Sequence, residues 1–188
     1  MKAREHDPTR LDVEAFAKAG ASMQGQWPLT SLERLAESAA GDAPPSPGDE
    51  VTWQARGELR ALRGQANQVW LHVSASTGLA LQCQRCLQPV DQELAVERSF
   101  LFVHGEDQAA ALDTDSEDDV LALTRALDLR ELLEDELLLA LPLVPRHDRC
   151  PAPLVAPAPA EAEPADEAAP NPFAALAALK KTGPLAGH

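Results

Sequence analysis

Basic charge and aromatic rings are what this chain has least of. Its 16 lysines and arginines face 30 aspartates and glutamates, for a net charge of −14. A protein that grips nucleic acid unaided needs a basic face, because neutralising phosphate supplies most of the affinity. The whole-chain balance runs the other way. An acidic surface suits basic protein partners, whose approach it speeds, and it also serves solubility; charge alone does not choose between these. With no tyrosine, three tryptophans and four phenylalanines, the core must be built mainly from Leu, Val and Ala. Cysteine is scarce too. Three cysteines, two of them close together, do not make the disulfide framework of a small secreted domain. The first residues, MKAREHDPTRLD, contain no apolar run, so no signal peptide is expected, and no stretch reaches the roughly 18 apolar residues of a membrane span. A cytoplasmic protein without membrane contact is expected. The 188 residues suffice for one domain with a real core and not for two large ones.

What is present divides into three parts: a single globular α+β domain over residues 1–150, a Pro/Ala-rich disordered linker over 151–170, and a short helix over 171–181. At the N-terminus, residues 11–20 read as a short helix capped by Asp12 and stopped by Gly20. A longer helix is expected over 28–40, with Thr30 and Glu33 as a capping box and Leu29, Leu32, Leu35, Ala36 and Ala39 on one face. Prolines 44, 45 and 47 end it. From Glu50 the period changes to two. Val51, Trp53 and Ala55 alternate with polar residues; a turn over 64–67 leads to Val69, Leu71 and Val73; a third strand runs through Leu79, Leu81 and Cys83; a fourth covers 92–103. These predict an antiparallel sheet of about four or more strands that can curl toward a barrel. Residues 105–119 hold seven acidic residues and read as a polar loop, either simply solvated or a metal or partner site. The strongest helical pattern spans 128–141. Asp128 and Glu131 form a capping box, and Leu129, Leu132, Leu133, Leu137, Ala140 and Leu141 form an amphipathic stripe packed on the domain. Glu134 and Asp135 fall on its wet face, whereas Glu136 falls near the stripe and is expected to pair with Arg85 or Arg98.

Residues 151–172 contain seven prolines, eight alanines, four acidic residues and no basic ones, a composition that cannot bury a core. Asn171-Pro172 is then an N-cap with proline at the first helical position. Phe173, Leu176, Leu179 and Lys180 share one face of the helix that follows. A helix this short does not persist alone. It docks back on the domain, folds against a partner, or frays as a solubilising end.

Cys83-Gln-Arg-Cys86 lies between two strands. A redox pair needs its first thiolate at a helix N-terminus, where the dipole lowers the pKa, and no helix is expected here. The arrangement is that of a zinc knuckle, in which a tight turn supplies two tetrahedral ligands. His147-Asp-Arg-Cys150 has the spacing to supply the other pair, for a Cys3His zinc set of Cys83, Cys86, His147 and Cys150. Ordinary thiols remain the alternative. The sequence has no nucleophile elbow, no phosphate-cradling Gly-rich loop and no His-Glu-x-x-His, so no catalytic residue is assigned and no enzyme or small-molecule substrate is expected.

Several segments in order carry a resemblance: Gln24-Gly-Gln-Trp27, Leu81-Gln-Cys-Gln-Arg-Cys-Leu87, Asp128-Leu129, Glu134-Asp-Glu-Leu-Leu-Leu-Ala-Leu-Pro-Leu-Val-Pro145, His147 with Cys150, and Asn171-Pro-Phe-Ala-Ala-Leu-Ala-Ala-Leu-Lys180. Together the chain resembles the YceD family, the large ribosomal RNA subunit accumulation proteins. The resemblance implies a role in the synthesis, processing or stability of large-subunit (23S) ribosomal RNA, which the missing catalytic motifs make a non-enzymatic one. Two modes follow. In one, the acidic surface meets a basic ribosomal protein or a ribosomal-RNA-processing factor, with Phe173, Leu176, Leu179 and Lys180 as the anchor on the tether. In the other, a zinc-containing protein contacts RNA directly through a sheet face bearing Trp70, His72, Arg85 and Arg98.

Overall fold

Alternation of apolar and polar residues builds the sheet that organises the molecule. The computed structural model describes residues 6–61, 67–116 and 118–151. Five strands lie in the order β1-β2-β3-β4-β5: β1 Ser22–Pro28, β2 Glu50–Arg60, β3 Gln68–Gln82, β4 Pro89–Val103 and β5 Asp119–Ala122. The first four pair antiparallel, with Trp53 opposite both Gly25 and Ala75, and Leu71 opposite Phe100. β5 runs parallel to β4 from Phe100↔Asp119 to Val103↔Ala122, so the sheet is mixed. Among the described residues β1 and β5 do not pair, and the sheet stays open rather than closing into a barrel. The two strands expected over 69–74 and 79–83 are one: β3 keeps Val69, Leu71, Val73, Ala75, Thr77, Leu79 and Leu81 buried in unbroken alternation. The Ser/Thr/Gly run at its centre looks like a turn, but Ser74 and Ser76 take the open face, and Thr77, on the buried one, donates its hydroxyl to Glu50 O at 3.0 Å.

Three helices cover one face. Asp12 caps α1 (Val13–Lys18) by accepting from the Ala15 N–H at 3.0 Å, and Gly20, at φ +56°, ends that turn. α1 lies so close to β2 that a Cβ on Gly57 would sit 2.8 Å from the Ala17 backbone and from the Phe16 ring. The helix expected over 28–40 is instead broken: a 3-10 turn Leu29–Ser31, then Leu32 at φ −99°, ψ 82°, then α2 Glu33–Glu37, with no side-chain cap on either piece. Leu29, Leu32 and Leu35 all reach the core, and the break at Leu32 lets residues spaced by three point the same way. α4 (Leu129–Leu139) matches its predicted position, with Asp128 accepting from the Arg130 and Glu131 N–H groups at 2.9 and 3.2 Å. Leu129, Leu133 and Leu137 are completely buried beneath it.

The acidic segment over 105–119 is not a loop. After Gly105 (φ +86°) it forms α3, Glu106–Asp115, and then enters β5. Glu106 and Asp107 occupy the first turn, where the helix dipole favours negative charge, and Ala109 packs with Trp70, Leu101 and Val120 on the sheet's second face. That face is otherwise open and polar, with Gln24, Gln54, Ser74 and Glu97 aligned across β1 to β4. The linker expected beyond Pro151 and the helix expected at 171–181, with Phe173, Leu176, Leu179 and Lys180, lie outside the described residues.

Candidate metal centre

The β3–β4 connection folds as a tight knuckle because its backbone bonds to itself. Cys83 N–H donates to Gln88 O at 3.0 Å and Leu87 N–H to Cys83 O at 2.9 Å, with Leu87 held at φ +62°, a strained setting for a leucine. The second arm starts where α4 ends. Pro142 stops the helix, and the chain turns back so that Gln84 N–H donates to Pro145 O at 2.9 Å. That bond delivers the His147-Asp-Arg-Cys150 segment to the knuckle. One ligand atom from each of Cys83, Cys86, His147 and Cys150 then lies within 4.8 Å of the others, with Cys86 Sγ 3.5 Å from His147 Nδ1.

Four donors at such separations match the chemistry of a closed tetrahedral zinc site, where thiolates about 2.3 Å from the ion stand roughly 3.8 Å apart. Cys83 is buried; Cys86, His147 and Cys150 are half-buried. Burial alone would push the Cys83 thiol up, but the N–H groups of Cys86, His147 and Arg85, with the His147 side chain, outweigh it and lower the pKa from 9.0 to about 5. At Cys150 burial and the neighbouring sulfurs of Cys86 and Cys83 act together and raise it. Such a set holds a metal with no open position, which suits a structural role and supplies no site for substrate. No helix begins at Cys83, whose thiolate a redox pair would need at a helix N-terminus; the chain passes from β3 through the knuckle into β4.

The four residues considered for RNA contact do not converge. Trp70 is buried beneath α3, with Arg60 stacked 4.4 Å over its ring. His72 is on the same face, its Nε2 2.8 Å from Glu58 Oε2 and its Nδ1 2.7 Å from Ser99 Oγ. Hydrogen bonds from Arg60 and then from His72 hold the Glu58 carboxyl down at about 2. The Ser99–His72–Glu58 chain has the order of a nucleophilic triad. Ser99 stands in an extended strand on an open face, however, where backbone N–H groups lie in the plane of the sheet rather than converging in front of the hydroxyl, so the strand does not supply the pair of donors an oxyanion needs. Arg98 points to the opposite face, where its Nε donates to Glu136 Oε2 at 2.8 Å, one of the two pairings expected for Glu136. Arg85 is exposed on the cysteine knuckle.

Two features escaped the sequence. Glu134 is buried rather than on the wet face: it accepts from Arg34 Nη2 at 3.0 Å and from the Leu35 N–H at 3.1 Å. Arg146 and Arg149, on either side of His147, are exposed, as is Arg85, so the two segments that carry the ligand set also carry three exposed cations. The clustered Arg-His-Asp-Arg spelling was the available signal for the second.

Comparison with known proteins completes the site. The family model described as Large ribosomal RNA subunit accumulation protein YceD matches residues 71–180. The protein of that name from Haemophilus influenzae is similar to this chain, with 32% identity over 176 residues, which is 93% of this chain and 96% of the relative. No solved structure matches the chain.

Proposed function

The chain belongs to the YceD family of large ribosomal RNA subunit accumulation proteins, and from that premise we propose that it is a non-enzymatic cytoplasmic factor that promotes accumulation of 23S ribosomal RNA through protein contacts. Its partner is a basic ribosomal protein or an RNA-processing factor, and residues 171–181 supply the anchor, with Phe173, Leu176, Leu179 and Lys180 as the contact face. A zinc ion on Cys83, Cys86, His147 and Cys150 is structural, clasping the β3–β4 knuckle to the segment after α4. The observation that carries the protein-contact reading is the fate of the groups RNA would need. Trp70 is buried, Arg98 is bound to Glu136 and His72 lies between Glu58 and Ser99, in a chain of net charge −14. No helix among the described residues is long and apolar enough to cross a membrane.

A second reading, direct RNA contact, is favoured by Arg85, Arg146 and Arg149. All three are exposed and none forms an ion pair among the described residues. Three phosphate contacts would give a salt slope of about −3. Deleting the gene should lower the ratio of large- to small-subunit ribosomal RNA, and the full chain should restore it. The purified protein should show no salt-dependent binding to 23S RNA. An unchanged ratio would refute the ribosomal role; tight binding that weakens with salt, lost on R85A/R146A/R149A, would replace the protein-contact mode with the RNA mode.

A further inference from the structure

Among the described residues, nothing pairs with the outer edge of β1. Gly57 N–H bonds to Ala21 O and Leu29 N–H to Asp49 O, both across pairs whose residue numbers share the sum found throughout the β1–β2 register. Residues 21, 23, 25, 27 and 29 therefore turn their backbone groups toward β2. Those of Ser22, Gln24 and Gln26 point away from the sheet, and none has a partner among the described residues. Natural sheets blunt such edges with charge, proline or a bulge. β1 has no charge, in a chain where 24% of residues are charged, and its one proline, Pro28, is its last residue and leaves the outward N–H groups of Ser22, Gln24 and Gln26 in place. The other edge is treated differently: β5 has four residues, begins at Asp119 and is packed by α3.

We propose that β1 pairs antiparallel with β1 of a second copy, about a twofold axis at Gln24, to give a continuous ten-stranded sheet. The strand is complementary to itself in that register. Its outward-bonding residues meet as Ser22–Gln26′, Gln24–Gln24′ and Gln26–Ser22′, which exchanges six backbone hydrogen bonds. On the core face Met23 falls opposite Gly25′ and Trp27 opposite Ala21′, large against small. Ala21, Met23 and Trp27 are half-buried apolar residues packed at the edge of the core, so the second strand covers what the first leaves wet. Only serine and glutamine meet on the other face. The absence of charge here lets two copies of net charge −14 approach at this one strip. A contact this size buries less than the roughly 1,200 Å² of a standard interface, so the dimer is weak, in about the micromolar range. Salt strengthens it by screening the repulsion between copies. A basic partner strand would show the opposite salt dependence.

Sedimentation equilibrium of the full chain from about 1 to 500 μM, at about 0.05 and 0.5 M salt, reads this directly. The expected result is a monomer–dimer equilibrium that tightens with salt. Gln24→Pro removes the central outward N–H without touching the β1–β2 ladder and should weaken association at least about tenfold. Gln24→Lys sets like charges opposite each other on the axis and should do the same. Gln54→Lys, on the neighbouring strand of the same face, adds the same charge off the axis and should leave the dimer intact. Circular dichroism confirms that each variant is folded, and Gln24→Lys decides if Gln24→Pro is not. A monomer throughout the range, or a dimer indifferent to both Gln24 variants, overturns the proposal.

Discussion

At residue 134 a carboxylate sits under a helix that its neighbours cover with leucine. Glu134 is 8% exposed, and its position is explained by what α2 lacks. That short helix has no side-chain cap of its own, so the Leu35 N–H in its first turn has no local acceptor. Glu134 Oε1 supplies one from 99 positions away, while its Oε2 takes Arg34. The pair is thus a cap delivered across the core, with the arginine neutralising the charge that burial would otherwise penalise. Replacing Glu134 with Ala should lower stability by about 2 kcal/mol, because the buried Leu35 N–H loses its acceptor and Arg34 is left with Asp135 alone. Asp135 meets the same Arg34 but is half exposed, so D135A should cost no more than about 0.5 kcal/mol. Urea midpoints at unchanged slope would separate the two; equal losses would mean that Arg34 is held by charge alone. Nothing in the sequence marks this role. A Glu-Asp-Glu run inside a leucine-rich helix presents two acids as surface, and only the register of α4 against α2 decides which one turns inward.

Among the elements, those whose own pattern sets their conformation were legible and those set by neighbours were not. β2, β4 and α4 carry period-two or helical patterns strong enough to read alone, whereas β3 reads as two strands because Ser74 to Gly78 looks like a turn; Asp12 and Asp128 cap where their spelling says they should. β1 was missed because Gly25 and two glutamines leave only Met23 and Trp27 to mark alternation. α3 was missed because its acidic residues suit either solvent or a helix N-terminus, and its apolar contact is little more than Ala109 against Trp70. The packing of α1 depends on a residue no pattern singles out. Gly57 lies on the core face of β2, where any Cβ would meet the Ala17 backbone at 2.8 Å, too close for a flexible side chain to yield. Gly57→Ala should therefore push α1 outward and cost about 1–3 kcal/mol, the usual penalty for overpacking. Alanine's better intrinsic strand and helix propensities would act the other way by about 0.5 kcal/mol, so thermal melting that shows stabilisation would mean the α1–β2 gap closes less tightly than this distance says.

For the whole molecule, the cysteine centre and the hydrophobic core are joined but not interdependent, and this sets what metal removal does. The core runs from Leu11 through the sheet to Leu137 and needs none of residues 142–150. The cysteines were legible from spacing because ligand geometry depends on short loops, but the 60 residues between the pairs, which form β4, α3, β5 and α4, hid how they meet. Without metal, the knuckle and the returning segment keep only local bonds such as Gln84 N–H to Pro145 O, while Leu133, Leu137 and the strands beneath them keep all of theirs. Chelation should therefore leave far-UV circular dichroism nearly unchanged. Amide exchange should speed up at residues 83–88 and 143–150 and stay slow at the centre of β3. Protein purified without chelator should hold about one zinc per chain, and below about 0.1 equivalent the structural-zinc reading fails. A chain that instead unfolds as a unit on chelation, as a zinc finger does, would show that the sheet and its three helices cannot hold together without the clasp.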